Sequence, residues 1–477
     1  MVLERERKKK TRIVCTIGPA SNNEKMMRKL VLAGMNVMRL NFSHGDHDYH
    51  RANIEMLAKV NKELNKNVSV LLDTKGPEIR TGDFVDGQTE FKKGQVSTIC
   101  IEDIEGTSDR FTITYKDLYK DVKPGGFILV NDGQIELLVD HVEGTDIVCV
   151  CANDGVVKNK RGINVPDVKL GFDYLSPKDI EDITFGCEMD VDFIAASFCR
   201  RAQDIIDIKK LLVENGKPNI QVIAKIENNE GVENIEDILK VADGIMVARG
   251  DLGVEVPAED VPLIQKQIIK KCKELGKVVI TATQMLESMQ TNPRPTRAEV
   301  SDVANAIYDG TDAIMLSGES AAGKYPEEAV MTMTKIALKT EETLDYDSLQ
   351  RKAIRSAPVD TSEAICMSVA EIASKFNVAA IIAFTESGFT ARRMSRYRTK
   401  SCIIAPTPYP QTERALALNW GVKPVLCKQL SSRVSMLDYA SIIAREAGID
   451  AGELILVTGG TPGVEGATNY LELVMVK

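Results

Sequence analysis

Eight short apolar runs alternate with amphipathic stretches of helical period, and their number limits the fold more than any other feature of the chain. They centre near residues 14, 39, 70, 194, 223, 246, 279 and 314, at intervals of ~25–35 residues except between 70 and 194. Strand–helix alternation at that interval is the parallel-sheet unit, and eight such units close a (β/α)8 barrel of the TIM type. The wide interval must then hold an insertion. Its texture differs: turns such as Asp86-Gly87, Pro124-Gly125-Gly126, Asp132-Gly133 and Asp154-Gly155 separate short alternating strands. This predicts a small all-β lid domain over 76–172, with Pro77 and Pro166 stiffening its two connections. The barrel would comprise 1–75 and 173–340. Residues 341–360 are charged and weakly patterned, a boundary segment. Strand–helix alternation resumes in 361–458 (strands Ala379–Phe384, Cys402–Ala405, Val425–Cys427 and Glu453–Thr458), predicting an open α/β domain over 341–477.

Of 477 residues, 44% are apolar and 27% charged, a globular balance, and the length suits about three domains. A net charge of −9 argues against a broad nucleic-acid footprint. No apolar run approaches the ~18 residues that span a membrane, and the charged N-terminus leads into no signal-peptide core. Ten cysteines form no framework. Cys149 and Cys151 lack a second pair at zinc spacing and read as reduced core residues. The expected location is the cytoplasm.

The densest chemistry lies in 221–255. Lys225 and Glu227 alternate at the end of one strand, so both point to one side of the sheet; Arg249 and Asp251 follow the next, with Gly250 and Gly253 around the carboxylate. Four charges thus gather at the carboxyl ends of neighbouring strands, where barrels place their sites. Glu227 and Asp251 are hard oxygen donors in the small number that suits Mg²⁺ or Mn²⁺. Lys225 is near enough to act as a cation for a phosphoryl group or as a base. Gly250 allows a tight turn whose amides grip an anion.

Thr281, Thr283 and Gln284 after the seventh strand, and Ser317 and Glu319 after the eighth, add hydroxyls and a carboxylate to the same mouth. Asn41, Ser43, Asp73 and Thr74 end strands two and three; these oxygens with one formal charge suit a monovalent cation, and equally suit helix capping. His44, His47 and His50 are spaced by three, but Gly45 and two aspartates interrupt them, so a turn into a solvated helix is the better reading than a metal cluster. Ser21 and Gly34 are the expected cap and stop of the first helix. In the last domain Thr385, Glu386, Ser387, Gly388, Phe389 and Thr390 follow a strand and open a helix, either a phosphate cradle or an unliganded cap. A glycine-rich segment, 458–466, follows what reads as the final strand.

The runs IVCTIGP, MNVMRLNFSHG, LLDTKGPEIR, AKIEN, IMVARGDLGVE, TATQMLESM and NPRPTRAEVSDVANA, in that order from about residue 11, resemble the pyruvate kinase family. The resemblance implies phosphoryl transfer from phosphoenolpyruvate to ADP, in the last step of glycolysis. It implies that Glu227 and Asp251 hold a divalent ion and that Lys225 neutralises the phosphoryl group in flight. Thr283 and Gly250 would contact the substrate, and Ser317 and Glu319 would belong to the path that protonates the enolate carbon. Asn41, Ser43, Asp73 and Thr74 match the family's K⁺ ligands, and Arg39 and Arg80 its phosphate-binding arginines. His44 falls at a nucleotide-contacting position, with Asn41 beside it. Arg161 stands where many members carry a nucleotide-contacting lysine, keeping the charge but not the geometry.

Glu78 resembles K⁺-dependent members, where a lysine goes with independence. The 385–390 loop resembles the family's effector-phosphate loop. Glu465 in the facing 458–469 loop disfavours a second phosphate, so a sugar monophosphate or another anion is the expected effector. The sequence shows no counterpart of the extra C-terminal domain of some bacterial members, and the family likeness suggests a homotetramer. Two rival functions are a Mg²⁺-dependent barrel lyase acting on a pyruvate enolate, including one using Lys225 as a Schiff base, and a catalytically silent effector-binding protein.

Overall fold

A computed structural model describes residues 9–358, 360–430, 432–460 and 468–477. Eight parallel strands close a barrel: β1 (Arg12–Thr16), β2 (Val37–Asn41), β3 (Ser69–Asp73), β4 (Phe193–Ala196), β5 (Gln221–Ile226), β6 (Gly244–Ala248), β7 (Val278–Ala282) and β8 (Ala313–Leu316), with β8 pairing back onto β1. These runs are nearly continuous in Val, Ile, Leu, Met and Ala because both faces are covered. One face meets the helices and the other fills the barrel with Val14, Val37, Leu71, Phe193, Ile223 and Met246. Ala417 and Leu418, from the far end of the chain, pack into that same interior cluster and plug its floor.

Between β3 and β4 the chain builds a seven-stranded sheet and a two-stranded one, running from Ile79–Arg80 to Gly162–Asn164 around Phe84, Phe91 and Phe111. The buried Arg200 guanidinium ties the return segment to the barrel by donating to the Leu170 and Phe172 carbonyls at 3.2 and 3.4 Å. The last unit is a five-stranded sheet in the order Val422–Leu426, Cys402–Thr407, Ala380–Ala383, Leu454–Gly460 and Thr468–Met475.

Several local expectations are corrected. Thr468–Met475 is a further strand, antiparallel to Leu454–Gly460, so the chain does not end its sheet near residue 458. The strand expected at Val425–Cys427 begins three residues earlier, at Val422. The boundary segment holds a helix, Tyr346–Arg355, whose Tyr346 ring sits under the Lys10 ammonium at 4.1 Å. The first helix is capped by Asn23, which accepts from the Met26 amide, whereas Ser21 is buried and accepts from Gly18 to close the preceding turn; Gly34 is its stop. The helix His47–Leu64 starts on an Asp46 cap, but its histidines are not simply solvated. His50 is buried and stacked 3.9 Å from Phe42, and His47 stacks on Phe185 and bonds Asp182 at 2.7 Å. All ten cysteines are free thiols, Cys149 and Cys151 among the buried ones. Among the described residues no helix is long and apolar enough to cross a membrane.

Candidate functional site

Barrel strands end with their carboxyl termini on one rim, so the residue that follows each strand falls at the mouth by topology alone. Asp73, ending β3, is fully buried between two cations. Arg39 Nε from β2 lies 2.5 Å from its Oδ2, and Lys225 Nζ from β5 lies 3.0 Å from its Oδ1. Lys225 Nζ also donates to Ser197 Oγ at 2.7 Å and meets Glu227 Oε1 at 3.0 Å. The second Glu227 oxygen accepts from the Phe198 amide at 2.6 Å. Burial pulls the Lys225 ammonium down, but Asp73 and Glu227 outweigh it and hold its pKa above the ordinary value. Burial raises Asp73, and Arg39 and Lys225 reverse that and bring it below the usual range. Glu227 goes the other way: burial pushes it up to about 7, with Asp251 and Asp73 adding to the rise. The two directions agree once the charges are counted. Among the described residues Asp73 pairs with both Arg39 and Lys225, Glu227 with Lys225 alone and Asp251 with no cation, so three carboxylates face two positive charges.

That excess is what a divalent cation would cancel. Among the described residues no three His, Cys, Asp or Glu side chains form a ready metal cage. Two carboxylates suit an ion that keeps waters and takes substrate oxygens, as Mg²⁺ does.

Of the four charges expected to converge after β5 and β6, Arg249 does not join the others. Its guanidinium is bound to Asp302 at 2.8 Å and to the Thr283 carbonyl at 2.8 Å, so it braces the loop after β7. Thr283 itself has φ 66°, a left-handed conformation rare for a β-branched residue, which costs on the order of 1–3 kcal/mol and must be held by its surroundings. Its hydroxyl donates to the Ala282 carbonyl at 2.6 Å and accepts from the Gly250 amide at 2.8 Å, joining the loops after β6 and β7. Glu319 is fully buried and accepts the amides of Ser317 and Leu286 at 2.8 and 3.0 Å, shaping the loop around half-buried Ser317.

Asn41 and Asp73 are direct register partners across β2 and β3. Asn41 Oδ1 accepts from the Ser43 amide, and the Thr74 hydroxyl accepts from the Ser197 amide at 3.1 Å. Ser43 and His44 are exposed on the turn that follows. Arg80 is held by Glu78 at 2.8 and 2.7 Å and donates to the Lys160 carbonyl, while Arg161 stands exposed on the inserted unit. Between that unit and the barrel lies a cavity of about 210 Å³, lined by Glu78, Asp132 and Asn164 on one side and Asn229, Asp251 and Glu255 on the other.

Ser197 was not among the residues singled out from sequence, yet it contacts Lys225, Asp73 and Thr74 at 2.7, 2.9 and 2.7 Å. It directly follows β4, so the strand-end rule applied to Ala-Ala-Ser-Phe finds it.

In the last sheet Gly388 has φ 83°, and a Cβ there would lie 2.5 Å from Arg392 Nη1, so glycine is required. Helix Phe389–Arg396 follows, without a side-chain cap. Thr385 is buried, the Glu386 carboxylate is 3.3 Å from Gln429, the Ser387 carbonyl accepts from Arg392, and the Phe389 ring lies under Arg393. The Thr390 hydroxyl is already paired with Thr468 at 2.8 Å. Glu465 lies outside the described residues.

Comparison with known proteins agrees along the whole chain. The family model for the pyruvate kinase barrel domain matches residues 8–330, and that for the pyruvate kinase alpha/beta domain matches 363–474. A pyruvate kinase of Staphylococcus saprophyticus subsp. saprophyticus is 52% identical over 98% of this chain and 80% of its own length; one of Staphylococcus aureus strain MRSA252 is 52% identical over the same shares. Among solved structures, a pyruvate kinase of Cryptosporidium parvum superposes with a TM-score of 0.95 at 38% identity, covering 100% of this chain and 97% of the other. With an eight-stranded barrel, a β insertion after β3 and a C-terminal α/β sheet in the same order, the chain belongs to the pyruvate kinase family.

Proposed function

We propose that the barrel mouth moves the phosphoryl group of phosphoenolpyruvate to ADP with the residues above in distinct roles. The bond from phosphorus to the enol oxygen breaks, a bond to the terminal oxygen of ADP forms, and the pyruvate enolate takes a proton at carbon. The observation that carries this reading is the Lys225 ammonium, kept protonated between Asp73 and Glu227. A fixed positive charge in a dry site is what a transferring phosphoryl group needs. The same state argues against a Schiff-base lyase, which needs a free amine.

Arg39, oriented by Asp73 and by Thr16 at 2.8 Å, would bind the substrate phosphate. The Gly250 amide region, Asp251 and Thr283 would seat the carboxylate end, and Ser317, in the loop shaped by Glu319, would lie on the proton's path. Glu227 and Asp251 would hold Mg²⁺ or Mn²⁺, which when bound supplies Lewis-acid polarisation of the substrate oxygens. Asn41, Ser43, Asp73 and Thr74 would hold K⁺, adding one positive charge beside Arg39. Asn41, His44, Arg80 and Arg161 would face the nucleotide.

We assign the barrel to 1–75 and 173–340, the lid to 76–172 and the effector-binding unit to 341–477. The 385–390 loop would take a phosphorylated effector, and the enzyme would act in the cytoplasm as a homotetramer. A lactate dehydrogenase-coupled assay with ADP, Mg²⁺ and K⁺, run with a panel of sugar phosphates, tests the reaction and the effector together. Borohydride trapping of pyruvate on Lys225 without ADP-dependent turnover would overturn the assignment.

A further inference from the structure

At the barrel floor, opposite the mouth, helix Val261–Leu275 ends beside the start of β7 and β8 and meets helix Phe389–Arg396 of the C-terminal unit. A small cavity there is lined by Lys273, Lys277, Arg392, Arg396 and Arg398, with Asp312 the one carboxylate. Five cations facing one carboxylate is an imbalance that buried sites avoid unless something else supplies negative charge.

Their hydrogen bonds do not close it. Lys277 donates to the Ala242 carbonyl, Arg392 to Ser387, and Arg396 to Ser356 and Glu274, all neutral backbone oxygens. Arg396 Nη1 is also 3.6 Å from Glu363, whose carboxylate is shared with Arg393. Asp312 is committed to Arg398 Nη2 at 2.8 Å and to the Val279 amide at 3.0 Å. Arg398 is only 4% exposed and its guanidinium lies over the Trp420 ring at 4.9 Å, yet its Nε and Nη1 have no hydrogen-bond partner among the described residues, and neither has Arg396 Nε. Arg398 also has φ 49°, a left-handed conformation that an arginine adopts only when its surroundings require it.

The Lys273 ammonium makes no hydrogen bond or ion pair among the described residues. It lies so close over Gly310 that a Cβ there would come within 2.5 Å. Burial pulls its pKa down to about 8, and Arg398 and Lys352 push the same way against Asp312 and Asp309. The side-chain oxygen of Asn419, a further lining residue, is unpartnered too, and an amide rotation replaces it with a donor.

We propose that this cavity binds one small inorganic anion, which joins the barrel floor to the C-terminal unit by neutralising Lys273, Arg396 and Arg398 together. The room is about that of one water molecule, so chloride, somewhat larger than water, fits with a small shift of the flexible Lys273 side chain and phosphate with a larger one.

The test is the thermal midpoint of the full chain in potassium gluconate, with gluconate replaced stepwise by chloride or by phosphate at constant potassium and ionic strength. The unmutated protein should gain on the order of 2 °C at ten times the dissociation constant. Lys273→Met removes a charge that makes no bond, so it should equal or exceed the unmutated protein in gluconate and lose the anion-dependent gain. Which salt gives the gain names the anion. Equal gains in both proteins would place the anion at the phosphate sites of the mouth or effector loop and overturn the proposal. Chloride NMR linewidth on the unmutated protein decides independently of how the variant folds. Broadening that phosphate reverses, and that Lys273→Met lacks, supports the site; no broadening by chloride together with no phosphate gain sinks it.

Discussion

Replacing Lys225 by methionine keeps the length of the side chain and deletes one charge, at a place where the structure shows what that charge holds. Nζ is 3.0 Å from both Asp73 Oδ1 and Glu227 Oε1, so each contact is worth about 5 kcal/mol of Coulomb energy at an effective dielectric near 20, before desolvation. Asp73 keeps Arg39 at 2.5 Å. Glu227 keeps only the Phe198 amide, so the loss falls mainly on Glu227. Leaving a buried charge unpaired costs about 3–5 kcal/mol, and the variant should be destabilised by an amount near the lower end. On chemistry, removing one charge that stabilises the transition state should slow phosphoryl transfer on the order of a hundredfold or more, about 2.7 kcal/mol.

Exchange of pyruvate's methyl protons depends on enolisation, not on a cation beside a moving phosphoryl group, and should survive largely intact. The two reactions must be compared at saturating divalent ion, because a freed Glu227 alters that affinity as well. Pyruvate-coupled turnover and deuterium wash-in at the methyl group, on protein with native circular dichroism, give the ratio. An equal fall in both would show Lys225 to be a general base or a structural residue, and the phosphoryl role would be refuted.

Potassium should activate strongly and sodium weakly, with partial K⁺-independence in Glu78→Lys. Since Glu78 is held by Arg80, the variant also frees that arginine; full activity of the unmutated enzyme in tetramethylammonium buffer would overturn the argument. The insertion should swing over the cavity at its base when Mg-ADP and a substrate analogue bind, excluding water; an unchanged radius of gyration in solution scattering would make it a fixed platform. Lys10 is buried against Tyr346 and Trp420, and burial pulls its ammonium down to about 8. The unfolded chain therefore binds more protons between pH 8 and 10.5, so Lys10's contribution penalises the fold below 8 and is relieved as pH rises, by up to about 3 kcal/mol. Urea midpoints of the unmutated protein should rise relative to Lys10→Met across that window; parallel curves would refute it.

Periodicity and strand-end position made much of the molecule legible without coordinates. A parallel strand buried on both faces must be an apolar run, and the residue after it must lie on one rim, so Lys225, Glu227, Asp251, Thr283 and Ser317 are found by reading along the chain. The same rule reaches Ser197. The count of runs also determines closure of the barrel, because the unit of spacing is a strand and its return helix.

What the chain could not disclose is how each polar group is spent once the rim is closed. Arg249 looked equivalent to Lys225, but the loop after β7 passes within reach and takes its guanidinium for Asp302 and Thr283. Glu319 looked like a site carboxylate, and the fold gives both its oxygens to backbone amides. His50 looked solvated until Phe42, from the preceding strand's end, covered it. Only tertiary structure could bring Lys273 of the barrel to Arg396 and Arg398 of the last unit, more than a hundred residues away. The physical reason is common to all four: spacing determines direction from the backbone, whereas partner, burial and charge balance depend on which distant segment arrives opposite.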